Sequence, residues 1–166
     1  MLGECILYNG KTYVGGTKGP NSINSVIFYN PQSPTGIKDS ANKLSTCYSI
    51  ESYSNNLYFA GTPTEGLGAT GCVYSYNINS GVMSTTRNTL LQTCYKLYYE
   101  DNLVAFGTSS DNVNNVFTYY NTNTKPAEWI NIPVKDKDNN NIFTVIYDFI
   151  SLIGSHFIIL TITGAP

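Results

Sequence analysis

Short runs of alternating apolar and polar residues, each four to seven long and separated by Gly, Asn, Asp and Ser, fill most of this chain. The stretch YNGKTYVGGT (Tyr8 to Thr17) returns as YSNNLYFAGT (Tyr53 to Thr62) and YEDNLVAFGT (Tyr99 to Thr108), at intervals of 45 and 46 residues. Each copy holds a turn (NGK, NNL, EDN) followed by an apolar strand that ends in Gly-Thr. Each is preceded by a second strand: ECILY, YSIESY or YKLYY. Two strands about a tight Asn, Asp or Gly turn predict an antiparallel hairpin.

A third strand follows at a steady offset. VIFYN, VYSYN and VFTYYN place their Tyr-Asn 12, 14 and 12 residues after the threonine of Gly-Thr. A weaker fourth segment completes each unit: GIKDSANKL, GVMSTTRNTL and AEWINIPV. Four short strands every 45 residues or so predict an all-β chain built as a β-propeller, since helical repeats would show a 3.6-residue period and leucine-rich repeats are shorter. LIGSHFIILT (Leu152 to Thr161) repeats the hairpin once more. The expectation is about three and a half four-stranded antiparallel blades: residues 4–44, 45–91, 92–134 and a half blade over 142–164. Gly16, Gly61 and Gly107 are expected at equivalent inner-strand sites, where a missing side chain lets backbones approach.

The Gly15-Gly16 doublet, the later Val-x-x-Tyr-Asn, the Asn30-Pro31-Gln32-Ser33 that follows and Trp129, eight residues beyond Asn121, resemble the kelch motif. The doublet becomes Ala60-Gly61 and Phe106-Gly107 in the later units, and the Trp occurs once. The pyrroloquinoline-quinone type of propeller repeat is a near alternative. The resemblance implies a propeller that binds through its loops or edges.

Composition then narrows the partners. The 166 residues are 42% hydrophobic and 12% charged with a net charge of −2, and Arg87 is the one arginine. No basic run exists to neutralise a series of phosphates, so nucleic acid is disfavoured as a partner. Phe143 to Thr163 is apolar enough to suggest a membrane span, but Asp148, Ser151, Gly154, Ser155 and His156 interrupt it, which favours two buried strands. The first residues do not read as a signal peptide, no Asn-x-Ser/Thr sequon occurs, and the compartment stays open.

The remaining chemistry is thin. KDKDNNN (Lys135 to Asn141) offers Asp136 and Asp138 as oxygen ligands, yet it lacks the glycine and distal glutamate of a calcium loop, and a solvated loop is expected there. His156 is the single histidine and falls at a hairpin turn, a poor place for a catalytic triad. The Gly-rich Thr62 to Gly71 runs into a strand, where a phosphate loop would open a helix. Cys5, Cys47, Cys72 and Cys94 permit two disulfides, but Cys47 and Cys94 hold equivalent places in neighbouring repeats, too far apart to bridge, so buried free thiols are expected.

Tyr, Asn, Ser and Thr dominate the polar residues, the mix found on binding surfaces. Tyr98, Tyr99, Tyr119, Tyr120 and Trp129 are the candidate contacts. A protein-binding or assembly module is the leading reading, and a carbohydrate-binding or carbohydrate-active propeller is the alternative. The partner is expected to be a protein or a second copy that completes the ring, with a glycan under the alternative.

Overall fold

A computed structural model describes residues 2–18, 24–29, 35–37, 40–64, 71–86, 88, 90–99, 101–110, 115–124, 127–132, 138, 145–152 and 156–162. The chain is all-β. It forms three four-stranded antiparallel sheets in chain order and one two-stranded sheet. The first contains β1 (Leu2–Tyr8), β2 (Lys11–Gly16), β3 (Val26–Tyr29) and β4 (Thr35–Gly36). The second contains β5 (Leu44–Tyr53), β6 (Asn56–Pro63), β7 (Val73–Asn77) and β8 (Val82–Thr85). The third contains β9 (Leu91–Tyr99), β10 (Leu103–Ser109), β11 (Asn115–Asn121) and β12 (Glu128–Ile132). β13 (Val145–Leu152) and β14 (His156–Ile162) form the two-stranded sheet.

The hairpins follow from their turns. Asn9 and Gly10 (φ 48° and 72°) join β1 to β2, and Ser54 and Asn55 (φ 47° and 64°) join β5 to β6. Two consecutive left-handed residues match the twist of the flanking strands, which is why Asn and Gly stand there. The third hairpin is looser, because Tyr99 pairs with Leu103 and three residues make its loop. Tyr99 therefore aligns in register with Ser52, one place away from the Tyr53 that the repeated phrase sets against it.

The fourth segment of the first unit is strand only over Thr35–Gly36. Its Ser40–Lys43 part makes a single helical turn, α1. The turn places buried Ser40 against β3: its hydroxyl accepts the backbone N–H groups of Ser25 and Val26 at 2.8 and 3.1 Å, pinning the start of that strand.

Each long hairpin carries a bulge. Cys47 pairs with Gly61 and Ser49 with Ala60, leaving Tyr48 extra; Cys94 pairs with Gly107 and Lys96 with Phe106, leaving Tyr95 extra. The first hairpin shifts between Leu2 and Cys5, with Leu2 opposite Gly16. Gly16, Gly61 and Gly107 are thus equivalent, and the N–H groups of Gly16 and Gly61 donate to the Ser25 and Cys72 carbonyls at 3.0 Å each. At Gly61 and Gly107 the backbones that approach belong to one hairpin. A Cβ on Gly61 would strike the Thr46 carbonyl oxygen, and one on Gly107 the Thr93 carbonyl oxygen, both on the paired strand of the same hairpin. Gly3 and Gly15 meet the neighbouring sheet: a Cβ on Gly3 would strike the Cys47 carbonyl oxygen, and one on Gly15 would lie 2.9 Å from both that oxygen and the Cys47 Sγ.

The three sheets stack face to face. One core, between the first and second sheets, gathers Tyr13 and Val26 from one side and Ile50, Leu57, Phe59 and Tyr74 from the other. A second, between the second and third, sets Tyr58, Ala60 and Val73 against Leu97, Leu103, Ala105 and Trp129. Val104, Phe106 and Phe117 form a third cluster on the far face of the third sheet. Cys47, Cys72 and Cys94 are buried free thiols, whereas Cys5 is exposed, contrary to the expectation for all four. Cys5 lies on the face of the first sheet that no described sheet covers.

Candidate interaction surfaces

The bulge selects the residue that links one sheet to the next. Just past it stand Glu4, Ser49 and Lys96, at equivalent places in β1, β5 and β9. Glu4 Oε2 accepts the Ile50 N–H at 3.3 Å and also the Ser49 hydroxyl. The Ser49 oxygen in turn accepts the Leu97 N–H at 3.0 Å. In both cases a side chain of one sheet caps a backbone donor that its own ladder cannot use, which avoids the cost of an unpaired buried N–H. Lys96 reaches back to Glu4 Oε1 at 3.0 Å, a half-exposed ion pair worth about 0–1 kcal/mol. Glu51, close to Glu4, has its carboxyl pushed above the usual range, first by burial; Glu4's charge adds to this, while donation from the Ser52 N–H, the Tyr99 backbone and the Lys96 charge oppose it.

The candidate aromatic residues part into two groups. Tyr98 and Tyr119 pack on the far face of the third sheet beside Val104, Phe106 and Phe117. Tyr99, Tyr120 and Trp129 turn to the second sheet. There the rings run in file: Tyr99 to Tyr53 at 4.7 Å, Tyr53 to Tyr58 at 6.0 Å, Tyr58 to Tyr120 at 6.5 Å and Tyr120 to Trp129 at 5.1 Å. Trp129 is a core residue, buried, with its indole N–H donating to the Thr86 carbonyl at 3.1 Å. Tyr99, 39% exposed, is the open end of the file. It stands with Tyr53 at the hairpin tips, where Ser54, Asn55, Asn77, Asp101 and Asn102 are also exposed.

An open stack of blades is expected to leave one apolar face uncovered, but the sequence did not show which residues form it. Cys5, Val14 and Ile27 lie in one cross-strand row of the first sheet, and Leu7 with Thr12 forms the next. The equivalent row of the second sheet, Ile50, Phe59 and Tyr74, is buried against the first sheet, and that of the third, Leu97, Ala105 and Thr118, against the second. In the first sheet Leu7 is 72% exposed, Cys5 is exposed, and Val14 and Ile27 are half-buried. The signal was present in the repeat: Cys5, Val14 and Ile27 match positions that are core in the next two units.

Asp136 and most of the Lys135 to Asn141 loop lie outside the described residues, and Asp138 is exposed. Most of the Gly-rich Thr62 to Gly71 stretch also lies outside them. His156 opens β14, opposite Leu152. No helix among the described residues is long and apolar enough to cross a membrane, a statement that leaves strand-built membrane proteins aside. Neither the models of protein families nor the curated proteins contain a match to this chain.

Proposed function

We propose that this chain is a non-enzymatic protein-binding or assembly module, an arc of a kelch-like β-propeller whose partner covers the outer face of the first sheet. The Cys5–Val14–Ile27 row carries the reading, because the same positions in the next two sheets, Ile50, Phe59 and Tyr74 and then Leu97, Ala105 and Thr118, are buried. Three sheets stacked face to face in chain order, the first linked to the second through Glu4 and the second to the third through Ser49, support the propeller form of the proposal. The buried polar side chains Ser40, Ser49, Asn88 and Thr118 are engaged in structural hydrogen bonds. That is the economy of a scaffold.

Affinity capture with the immobilised chain, compared with a Leu7→Lys/Val14→Lys variant, tests the reading. A protein, including the chain itself, should be held by the parent and lost by the variant. Equal retention by both would overturn the assignment of this face.

A carbohydrate-binding role is the second reading, favoured by the Tyr53–Tyr99 pair at the hairpin tips beside exposed asparagines. Aromatic faces with adaptable amide partners suit sugars as well as proteins. A glycan array read with the parent chain and with Tyr99→Ala separates the two: binding that Tyr99→Ala abolishes, with no protein captured, would make the glycan the ligand.

A further inference from the structure

We infer that the open face of the first sheet receives the β13–β14 hairpin of a second copy of this chain, head to tail; the inference rests on the propeller reading above and names its partner. Within the chain the same junction occurs twice. At each, a sheet places an acceptor just past its first-strand bulge, and that acceptor takes the N–H of the residue on the following sheet that is equivalent to Cys5: Glu4 serves Ile50, and Ser49 serves Leu97. Cys5 is the register equivalent of Ile50 and Leu97 on the open face.

The fourth sheet has the sequence of a preceding member of such a junction. Its ladder shifts between Ile146 and Asp148, which puts Asp148, opposite Leu160, at the register position of Glu4 and Ser49. Ile150 opposite Ile158 matches the Glu51–Tyr58 pair. A carboxylate residue at the acceptor position, with isoleucine and leucine in the neighbouring register places, is the composition that an apolar row with one backbone donor requires. The two open rows, Cys5–Val14–Ile27 and Leu7–Thr12, are uncharged. Nothing in them opposes an apolar sheet.

Symmetry favours this arrangement over one in which two first sheets meet. A head-to-tail contact closes when the second copy returns it, giving a ring of eight sheets, within the range of about four to eight blades that propellers adopt. Pairing of the two first sheets would bury the same row but would leave the junction repeated inside the chain unused.

Sedimentation velocity on the purified full chain, from about 1 to 100 μM, tests it, the range being that of ordinary reversible dimers. The parent should pass from monomer to dimer. Leu7→Lys/Val14→Lys and Ile158→Lys/Leu160→Lys should each be monomeric, yet mixed in equal amounts they should form a 1:1 dimer through the one junction both leave intact, weaker than the parent's dimer. Circular dichroism must show both variants folded. If the hairpin variant does not fold, the unmodified chain still decides: labelling of Cys5 by a thiol reagent should slow at least tenfold across the same concentrations. A parent chain that stays monomeric overturns the inference, as does a dimer whose two variants do not complement. A monomeric chain that captures a different protein would overturn it while leaving the assembly reading standing, and one that captures nothing would remove both.

Discussion

The Ser49 hydroxyl accepts the backbone N–H of Leu97 across the boundary between the second and third sheets, at 3.0 Å, two positions beyond the cysteine that opens its bulge. Glu4 does the same for Ile50 one boundary earlier. Sheets whose hairpins are separate in sequence are therefore joined by more than apolar contact.

Ser49→Ala should lower stability by about 1–3 kcal/mol, the range for leaving a buried donor without a partner. Chemical denaturation measures it. A loss below about 0.5 kcal/mol would mean that water or a shifted strand replaces the hydroxyl.

Gly61→Val and Gly107→Val should each cost at least about 1–3 kcal/mol, because the new Cβ meets a carbonyl oxygen of the paired strand, which yields only if the bulge opens. Gly10→Ala offers a contrast. Nothing lies within 4 Å of its Cβ, so its cost is the left-handed backbone alone, about 1–2 kcal/mol. Thermal melts of the three variants should rank accordingly.

Trp129→Ala should destabilise by about 3–5 kcal/mol, the range for emptying an aromatic core site, while Tyr99→Ala, at the exposed end of the ring file, should cost under about 1.5 kcal/mol, the scale of an aromatic pair. Equal losses would show that the file stands or falls as one unit.

Glu51 gives a pH dependence whose sign can be worked out. Its carboxyl is raised in the folded chain, so the fold holds the proton more tightly than the unfolded chain does. This group's contribution is most favourable below the ordinary glutamate value; it is lost as pH rises from there to the raised folded value, and stays lost above it. Glu51→Gln should remove that decline and be the more stable form at neutral pH. A parent and variant with parallel stability curves from acid to neutral pH would refute the assignment.

Burial pushes the Cys47 and Cys72 thiols up to about 12 and raises Cys94 as well. In dilute native chain at pH 8, a thiol reagent should modify Cys5 rapidly and the three buried cysteines only on unfolding. Rapid modification of a second thiol would indicate local opening near a bulge.

The strands, their antiparallel pairing and the repeating hairpins were legible in the sequence, because turn chemistry and two-residue alternation act over a few neighbouring residues. Asn9-Gly10 announces its own turn, and Val73 to Asn77 its own strand. Which side of a strand faces the next sheet was not legible. The extra Tyr48 and Tyr95 reverse the alternation within β5 and β9, so parity counted from one end fails at the other. The partners that decide each residue's environment also lie a repeat or more away: Trp129 is core because Tyr58 and Val73 oppose it, and Cys5 is exposed where its equivalents Ile50 and Leu97 are buried, because no described sheet covers it. Local propensity sets the strands; burial, which depends on contacts between sheets, is settled only when they stack.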